Sequence, residues 1–306
     1  MTTFLTFYEF VIYCSSWNLR FKMSAKVSQR GKIWFTFARN KTALAGGIIA
    51  LMIVLVAALA PWISPHDPLE QDPFYRLAPK DDKHWLGTDD FGRDVFSRII
   101  WGSRISLLIG SASVLLGMLL GTTLGMIAGY YGGKPESLIM RSTDVMMCFP
   151  DLILAIAVTA ALGANLTNLI LTIGIVMTPR FARLAHGVIL SLKESEYVVA
   201  ARAVGARGPR IILQHIFPNI FGDLLVAGTL WVGEAIRLEA NLAFIGLGVQ
   251  PPTPTWGNMT REGIEVLINA PWISVYSGLS ILITILSFNM LGDGIRDITD
   301  PKLRGA

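Results

Sequence analysis

Uncharged apolar stretches alternate with shorter polar segments along this chain, and their lengths predict membrane-spanning helices. A helix that crosses the hydrocarbon core of a bilayer needs about 20 mostly apolar residues. Three stretches meet this requirement without an internal charge, at 43–63, 105–130 and 271–292. We expect each of them to be a transmembrane helix.

The other predicted spans are less regular. Residues 152–179 carry no charge, but the turn-forming residues of LGANLTN (162–168) divide them. Two spans are therefore predicted here, at 145–162 and 166–185. A further apolar span at 220–247 contains four charged residues, namely Asp223, Glu234, Arg237 and Glu239. The pattern thus predicts an all-α, polytopic membrane protein with about six transmembrane helices.

Four glycines recur along the second predicted span at spacings of seven, four and four residues: Gly110, Gly117, Gly121 and Gly125. Small residues on one face let two helix backbones approach closely in a membrane. General glycine enrichment in membrane helices is the alternative, but the spacing favours a packing face.

Composition and charge support the membrane assignment. The chain has 306 residues, of which 52% are hydrophobic and only 16% charged, whereas soluble domains carry about 25% charged residues. With six spans and a cytoplasmic N-terminus, 18 of the 26 Lys and Arg residues fall on the cytoplasmic side, as expected for loops that set topology. Both termini are then cytoplasmic, and a nucleic-acid partner is not needed to explain the basic residues.

Domain boundaries follow from these spans. Residues 1–42 are predicted to be a cytoplasmic tail, in which the alternating basic and aromatic residues of 32–41 suit either an interfacial helix or a simple charged anchor. Met23 is an alternative start. The transmembrane domain covers 43–295, and residues 296–306 form a cytoplasmic tail. The two cysteines, Cys14 and Cys148, have no motif typical of a disulfide framework or a zinc site.

The predicted external segment, 64–104, ends in a charged and aromatic sequence, HWLGTDDFGRDVFSRIIWGSRISL (84–107). Thr88 or Asp89 is a plausible helix cap. Apolar residues then fall on one helix face, and Asp90, Arg93, Asp94 and Arg98 fall on the other. We predict an amphipathic helix on the outer surface, with these candidate residues: Gly87, Asp89, Asp90, Gly92, Arg93 and Asp94. The acid spacing does not match a calcium loop.

The predicted cytoplasmic loop, 191–218, contains the segment SEYVVAARAVGARGPRIILQHIFPN (195–219). Residues 195–204 are expected to form a short helix that Gly205 terminates, and Gly208 and Pro209 are expected to start another. A surface of Ala200, Ala201 and Ala203 is too small to anchor a core. It suits insertion into a groove of another protein, although a plain amphipathic connector is the alternative.

This segment resembles the cytoplasmic signature of the permease subunits of ATP-binding-cassette importers, which is Glu-Ala-Ala, three residues, Gly, nine residues and Ile-x-Leu-Pro. Four residues match that spacing: Ala200, Ala201, Gly205 and Pro218. Three differ, with Val199 in place of Glu, His215 in place of Ile and Phe217 in place of Leu.

The rest of the chain resembles the dipeptide, oligopeptide and nickel branch of that family, and most of all the second permease of the pair. The resemblance extends from about residue 32 to 304 and is carried by HWLGTDDFGRDVFSR, EYVVAARAVGA, HIFPN, FIGLGVQPPTPTWG and NMLGDGIRDITDPK. It implies the type I importer permease architecture and a location in the cell inner membrane.

The resemblance also implies partners. A homologous permease would form a heterodimer with this chain, two ATPase subunits would bind inside, and a solute-binding protein would dock outside. The residues implied in ATPase coupling are Glu196, Ala200, Ala201, Arg202, Gly205 and Pro218. Because Val199 replaces the family's Glu, we expect Glu196 or Arg202 to supply any ion pair with the ATPase.

The sequence contains no evident catalytic or metal-binding motif of its own. YYGGKPES (130–137) lacks the first Gly of a phosphate loop and has Pro where Ser or Thr must contact magnesium. We therefore expect this chain to bind no cofactor, with ATP and Mg²⁺ on the partner ATPases.

Charged residues within the predicted spans tend to face a cavity or each other. Glu234, Arg237 and Glu239 are candidates for the translocation pathway or the seam between subunits, with a self-neutralised packing pair as the alternative. Arg141 and Asp144, three residues apart, are expected to pair at the membrane surface.

Three classes of function remain at this stage. Import of di- or oligopeptides leads, and the same machinery importing nickel, metal chelates or glutathione is the alternative. A self-contained secondary transporter usually shows internal repeats, and we find none. A membrane enzyme is disfavoured because no nucleophile and base, or metal motif, is present.

Overall fold

The computed structural model describes residues 40–299, with side chains described as far as Asp297. Within that range the regular secondary structure is helical, apart from one isolated bridge between Thr88 and Asp94. The described residues form eleven α-helices, numbered here in chain order: α1 (Lys41–Ala58), α2 (Ala60–Ile63), α3 (Val95–Tyr131), α4 (Gly133–Met147), α5 (Asp151–Leu162), α6 (Leu166–Leu192), α7 (Glu196–Ala203), α8 (Gly208–Ile211), α9 (Phe217–Phe244), α10 (Trp256–Glu265) and α11 (Pro271–Thr299). A single 3₁₀ turn (Pro73–Tyr75) and a π-helical segment (Ile212–Ile216) complete the set.

Five of these helical units are long and apolar enough to cross a membrane: α1, α3, α6, α11 and the continuous stretch Gly208–Phe244. The bent pair α4–α5 makes a sixth if it is one span. The predicted interfacial helix at 32–41 lies almost wholly outside the described residues, as do residues 300–306 of the predicted C-terminal tail. Residues 296–299 of that tail continue α11.

The third span differs from its prediction. Residues 145–162 were expected to form one helix, but α4 and α5 meet at an angle of 98°. Pro150 explains the break, because its ring clashes with the carbonyl four residues back and the residue before a proline is pushed out of the helical region. The twelve residues of α5 are about 18 Å long, which is shorter than the hydrocarbon core of about 30 Å.

Helix α3 packs along α6 over most of its length, and the glycine pattern explains how. A Cβ added to Gly117, Gly121 or Gly125 would lie 2.3–2.8 Å from atoms of α6. Gly110 makes the same kind of approach to Ile236 on α9. The predicted packing face is therefore confirmed, and it holds two long helices closer than any side chain would permit.

Exposed apolar side chains cover the outside of the bundle. A soluble protein rarely exposes a large continuous apolar surface, whereas lipid-facing helices require one. The side chains of this kind on α1, α3 and α11 include Leu51, Met52, Leu115, Leu119, Leu282 and Leu286. The surface thus agrees with the hydropathy in placing these helices in a membrane.

Replacing Gly121 by alanine is expected to lower the free energy of unfolding by about 1–3 kcal/mol, as for other overpacked sites. The new methyl group would lie 2.3 Å from the carbonyl oxygen of Thr178. Gly187→Ala is the matched control, because this helical glycine has nothing within 4 Å of the position that a methyl group would occupy. Removal of glycine there should be neutral or stabilising by up to about 1 kcal/mol. Equal stabilities of the two variants in denaturant titrations in detergent would contradict the close approach.

Candidate functional site

The 191–218 loop forms the short helix that its sequence predicts. Helix α7 runs from Glu196 to Ala203, after Ser195 at the N-cap position. Gly205 follows with a φ of +85°, and no atom lies within 4 Å of the position its Cβ would take. Glycine is therefore needed here for the left-handed backbone and not for space. The chain then turns directly into α8, in which Pro209 occupies the first turn.

Most of the exposed residues of α7 are apolar, although Glu196 and Arg202 are charged. Val198 is fully buried against the core, and Ala201, which was predicted to belong to the outward surface, is half-buried against that core. The exposed apolar and aromatic residues of α7 and its C-cap are Tyr197, Val199, Ala200, Ala203 and Val204, with Val204 86% exposed. The loop also exposes the charged residues Glu194, Arg207 and Arg210. The loop therefore presents small and β-branched side chains at the tip of the bundle, flanked by exposed Glu196 and Arg202.

Two tyrosines at the end of α3 hold this loop in place. The guanidinium of Arg202 lies 5.9 Å from the ring centre of Tyr130. Gly208 packs so closely that an added Cβ would lie 3.0 Å from Tyr130 Cε1 and 3.2 Å from the Tyr131 hydroxyl. The sequence interpretation missed both tyrosines, since it considered YYGG only as part of a failed phosphate loop. These contacts attach the loop that contains α7 to α3, which is 37 residues long.

Pro218 lies in the first turn of α9, as predicted. Proline has no N–H to donate to the carbonyl four residues back, and the preceding residues adopt a π turn in which the N–H of Phe217 donates to the Ile212 carbonyl. The helical path nevertheless continues without a break from Gly208 to Phe244. A continuous helical path thus joins the loop to the middle of the bundle.

The predicted amphipathic helix over 88–107 is wrong in its start and in its exposed face. Asp94, and not Thr88 or Asp89, caps the helix by accepting the Ser97 N–H at 2.8 Å. Residues 87–94 precede the helix and fold inward. Gly92 has a φ of +73°, and an added Cβ would lie 1.8 Å from the Asp72 carbonyl oxygen.

Three buried charged residues of this segment form a network with Glu262 of α10, whose side chain is 29% exposed. We call it the Asp89 ion network: Asp89, Arg93, Arg98 and Glu262. Asp89 lies 2.7 Å from Arg93 and 3.1 Å from Arg98. Glu262 on α10 lies 3.2 Å from Arg93 and 2.9 Å from Arg98. Two carboxylates thus offset the charges of two guanidiniums, which lowers the penalty of burying them, while Nε and Nη1 of Arg98 make no hydrogen bond to the described residues.

Two neighbouring acids lie outside this network. Asp90 was predicted with the same charged face, but it forms an exposed pair with Arg76 at 2.7 Å. The exposed carboxylate of Asp81 accepts the backbone N–H groups of His84 and Lys83. These hydrogen bonds lower the pKa of Asp81 below its ordinary value, and the bond from the His84 N–H has the largest effect.

The three charged candidates on α9 separate into two locations. Glu234 and Arg237 form the predicted pair at 2.5 Å, and they line a cavity of about 200 Å³ together with Asp151, Leu152, Met177, Leu238 and Asn241. Asp151 itself is paired with Arg180 of α6. Glu239 is fully buried on another face, against Gly257 of α10. The structure therefore places a polar cavity beside α5 and α9 and leaves Glu239 out of it.

The expected pair of Arg141 and Asp144 does not form. Asp144 instead lies 2.5 Å from Arg183 on α6. The close packing of α4 against α6 brings this second arginine within reach, which the helix spacing alone did not show.

Comparison with known proteins agrees with the family resemblance found in the sequence. Residues 121–305 match the family described as the inner membrane component of binding-protein-dependent transport systems. Residues 28–79 match the N-terminal transmembrane domain of oligopeptide transport permease C.

Three relatives match over nearly the whole chain. The dipeptide transport system permease protein DppC of Alkalihalophilus pseudofirmus is 44% identical, covering 87% of this chain and 88% of that protein. The glutathione transport system permease protein GsiD of Pectobacterium atrosepticum is 42% identical, with coverages of 89% and 91%. The di/tripeptide transport system permease protein DppC of Pseudomonas aeruginosa is 41% identical, with coverages of 90% and 93%.

Among solved structures, an inward-facing MetNI methionine ABC transporter shares the fold. The TM-score is 0.55 at 18% identity, and the match covers 66% of this chain and 97% of that one. This chain therefore belongs to the inner-membrane permease subunits of ATP-binding-cassette importers, in their dipeptide and oligopeptide branch.

Proposed function

We propose that this chain forms half of the translocation pathway of an ATP-driven peptide importer, with a homologous permease as the other half. In this proposal two ATPase subunits bind the 191–218 loop, and a solute-binding protein delivers peptide at the opposite end. The loop and both termini face the cytoplasm. This chain binds no nucleotide and hydrolyses none.

The observation that carries the proposal is the largely apolar outward surface of α7. A protruding surface of this kind is costly to expose and marks an interaction site. Its small residues, Ala200 and Ala203, let another backbone approach closely. Glycine at 205 and the contacts with Tyr130 and Tyr131 preorganise the surface, which reduces the entropy lost on binding.

The helical path behind α7 supports a coupling role. The stretch from Gly208 to Phe244 has 37 residues, or about 55 Å of helix. It connects the loop to Glu234 and Arg237 at the polar cavity. Displacement of α7 by a partner would therefore shift the cavity wall as part of a rigid-body motion. In our proposal, this is how ATPase closure opens the pathway.

The chemistry of the cavity favours a peptide over a free metal ion. Asp151 and Glu234 are paired with Arg180 and Arg237. A peptide would replace these partners, with its ammonium terminus on a carboxylate and its carboxylate terminus on Arg237. The seven residues that line the cavity include no histidine or cysteine, which are the usual ligands of nickel or zinc. Two of the relatives are named for dipeptides or di/tripeptides. A third is named for glutathione, itself a peptide, and glutathione remains the alternative solute.

Assembly is the first test of the proposal. Full-length chain purified in mild detergent from its native membrane should carry a second permease and ATPase subunits, identified by mass spectrometry. A chain that is recovered alone from gently solubilised membranes, with no ATPase in any preparation, would contradict the proposal.

A further inference from the structure

Another group of polar residues lies beside the start of α3, outside both the Asp89 ion network and the polar cavity. It consists of His66, His84 and Asp94. One possible ligand atom from each of them lies within 4.8 Å of the other two. His84 and Asp94 are buried, and His66 is half-buried. We propose that these three residues bind a zinc ion. The sequence did not reveal this site because 28 residues separate His66 from Asp94.

The spacing of the donor atoms fits such an ion. Two ligands of a tetrahedral zinc, each about 2.0–2.1 Å from the metal, lie about 3.3 Å from one another. His84 Nδ1 and Asp94 Oδ1 are 3.0 Å apart. The ring centre of His66 is 4.9 Å from that of His84. Its Nε2 lies 3.0 Å from the Lys83 carbonyl oxygen, so Nδ1 would supply the third ligand. Water completes the tetrahedron.

The surroundings hold the ligands in position. The second oxygen of Asp94, Oδ2, accepts both the N–H and the hydroxyl of Ser97, at 2.8 and 2.6 Å. Its Oδ1 shares a hydrogen bond with His84 Nδ1, and a zinc ion would replace the proton between these two atoms. The backbone N–H of His66 donates to that Ser97 hydroxyl at 3.2 Å. The ring of His84 packs edge-on against Tyr75 at 5.2 Å. Such outer contacts fix the orientation of metal ligands and are typical of real sites.

The donor set favours zinc over calcium or magnesium. Two imidazoles and one carboxylate suit zinc, which accepts nitrogen and oxygen ligands in a tetrahedral arrangement. Calcium and magnesium prefer oxygen ligands alone. Bound zinc would join the beginning of the 64–94 segment to the first turn of α3. We therefore expect it to stabilise this end of the bundle, whether or not the chain transports anything.

Zinc binding is measured on the purified full-length chain, carrying an affinity tag without histidine. Cys14 and Cys148 are replaced by serine so that thiols do not bind the probe. After dialysis against zinc chloride, elemental analysis should find one zinc per chain. Cobalt chloride should give the visible absorption bands of a tetrahedral site. Zinc at 100 times its dissociation constant should raise the unfolding temperature by about 5 °C.

The chain contains four histidines, which provides matched variants. His66→Ala should weaken zinc binding at least tenfold, and because His66 is half-buried this variant should fold. His84→Ala should also weaken zinc binding at least tenfold. His186→Ala and His215→Ala should bind as the parent does, since His186 pairs with Glu136 at 2.7 Å and His215 lies in the π segment. Absence of stoichiometric zinc in the parent, or unchanged affinity in His66→Ala, would overturn the proposal.

Discussion

Replacing Glu262 by alanine is expected to lower the free energy of unfolding by about 3–5 kcal/mol. The change leaves the guanidinium of Arg98, which is 1% exposed, with Asp89 as its remaining carboxylate partner. Arg93, also buried, shares that same partner. A network that loses one carboxylate retains an uncompensated guanidinium charge. Glu262 is 29% exposed, but Arg93 and Arg98 are at most 4% exposed. Thermal or denaturant unfolding of the purified chain in detergent measures the effect.

Glu265 provides the matched control on the same helix. Its carboxylate is 67% exposed and lies 3.7 Å from Arg261, and exposed pairs of this kind contribute at most about 1 kcal/mol. Glu265→Ala should therefore be nearly neutral. The account of the Asp89 ion network fails if the two variants unfold alike.

Replacing Ala200 by glutamate is expected to weaken binding of the ATPase subunits by about 100-fold or more. A carboxylate buried without a partner costs several kcal/mol, and about 2.8 kcal/mol corresponds to 100-fold in the dissociation constant. Because Ala200 is exposed in this chain, the variant should fold and reach the membrane normally. Co-purification of the ATPases, followed by titration of the purified partners, measures the loss.

Ser137→Glu is the control for that variant. Ser137 is an exposed small residue on α4, near the same end of the bundle but outside the 191–218 loop. It should retain ATPase binding and ATP-driven transport. Wild-type ATPase affinity in Ala200→Glu would show that the outward surface of α7 is not the coupling surface.

The helices themselves were largely predictable from the sequence. Spans of about 20 apolar residues have few alternatives, and the glycines of α3 already indicated which face packs closely. The turn after α7 was also predictable, because glycine is the residue that best fits the left-handed backbone at position 205. The one clear error in the spans, at 145–162, came from ignoring Pro150, which is a helix-stopping residue by its covalent geometry.

The ion network and the cavity were not predictable in this way. Glu262 is 164 residues from Arg98 in the chain, and no local pattern links a charge on α10 to one on α3. The charges of residues 88–98 fit a solvent-facing helix equally well until α10 is seen to supply their partner. Glu239 shows the same limit, since helix spacing alone could not separate it from Glu234 and Arg237. Tertiary packing decides such cases.

Peptide uptake into proteoliposomes tests the central claim most directly. The vesicles would contain this chain, its partner permease and the ATPases, with the solute-binding protein supplied on the opposite side from ATP. The account predicts that a labelled dipeptide accumulates only when ATP, the ATPases and the binding protein are all present. Uptake by vesicles that contain this chain alone, without ATP, would contradict it and would favour a self-contained secondary transporter.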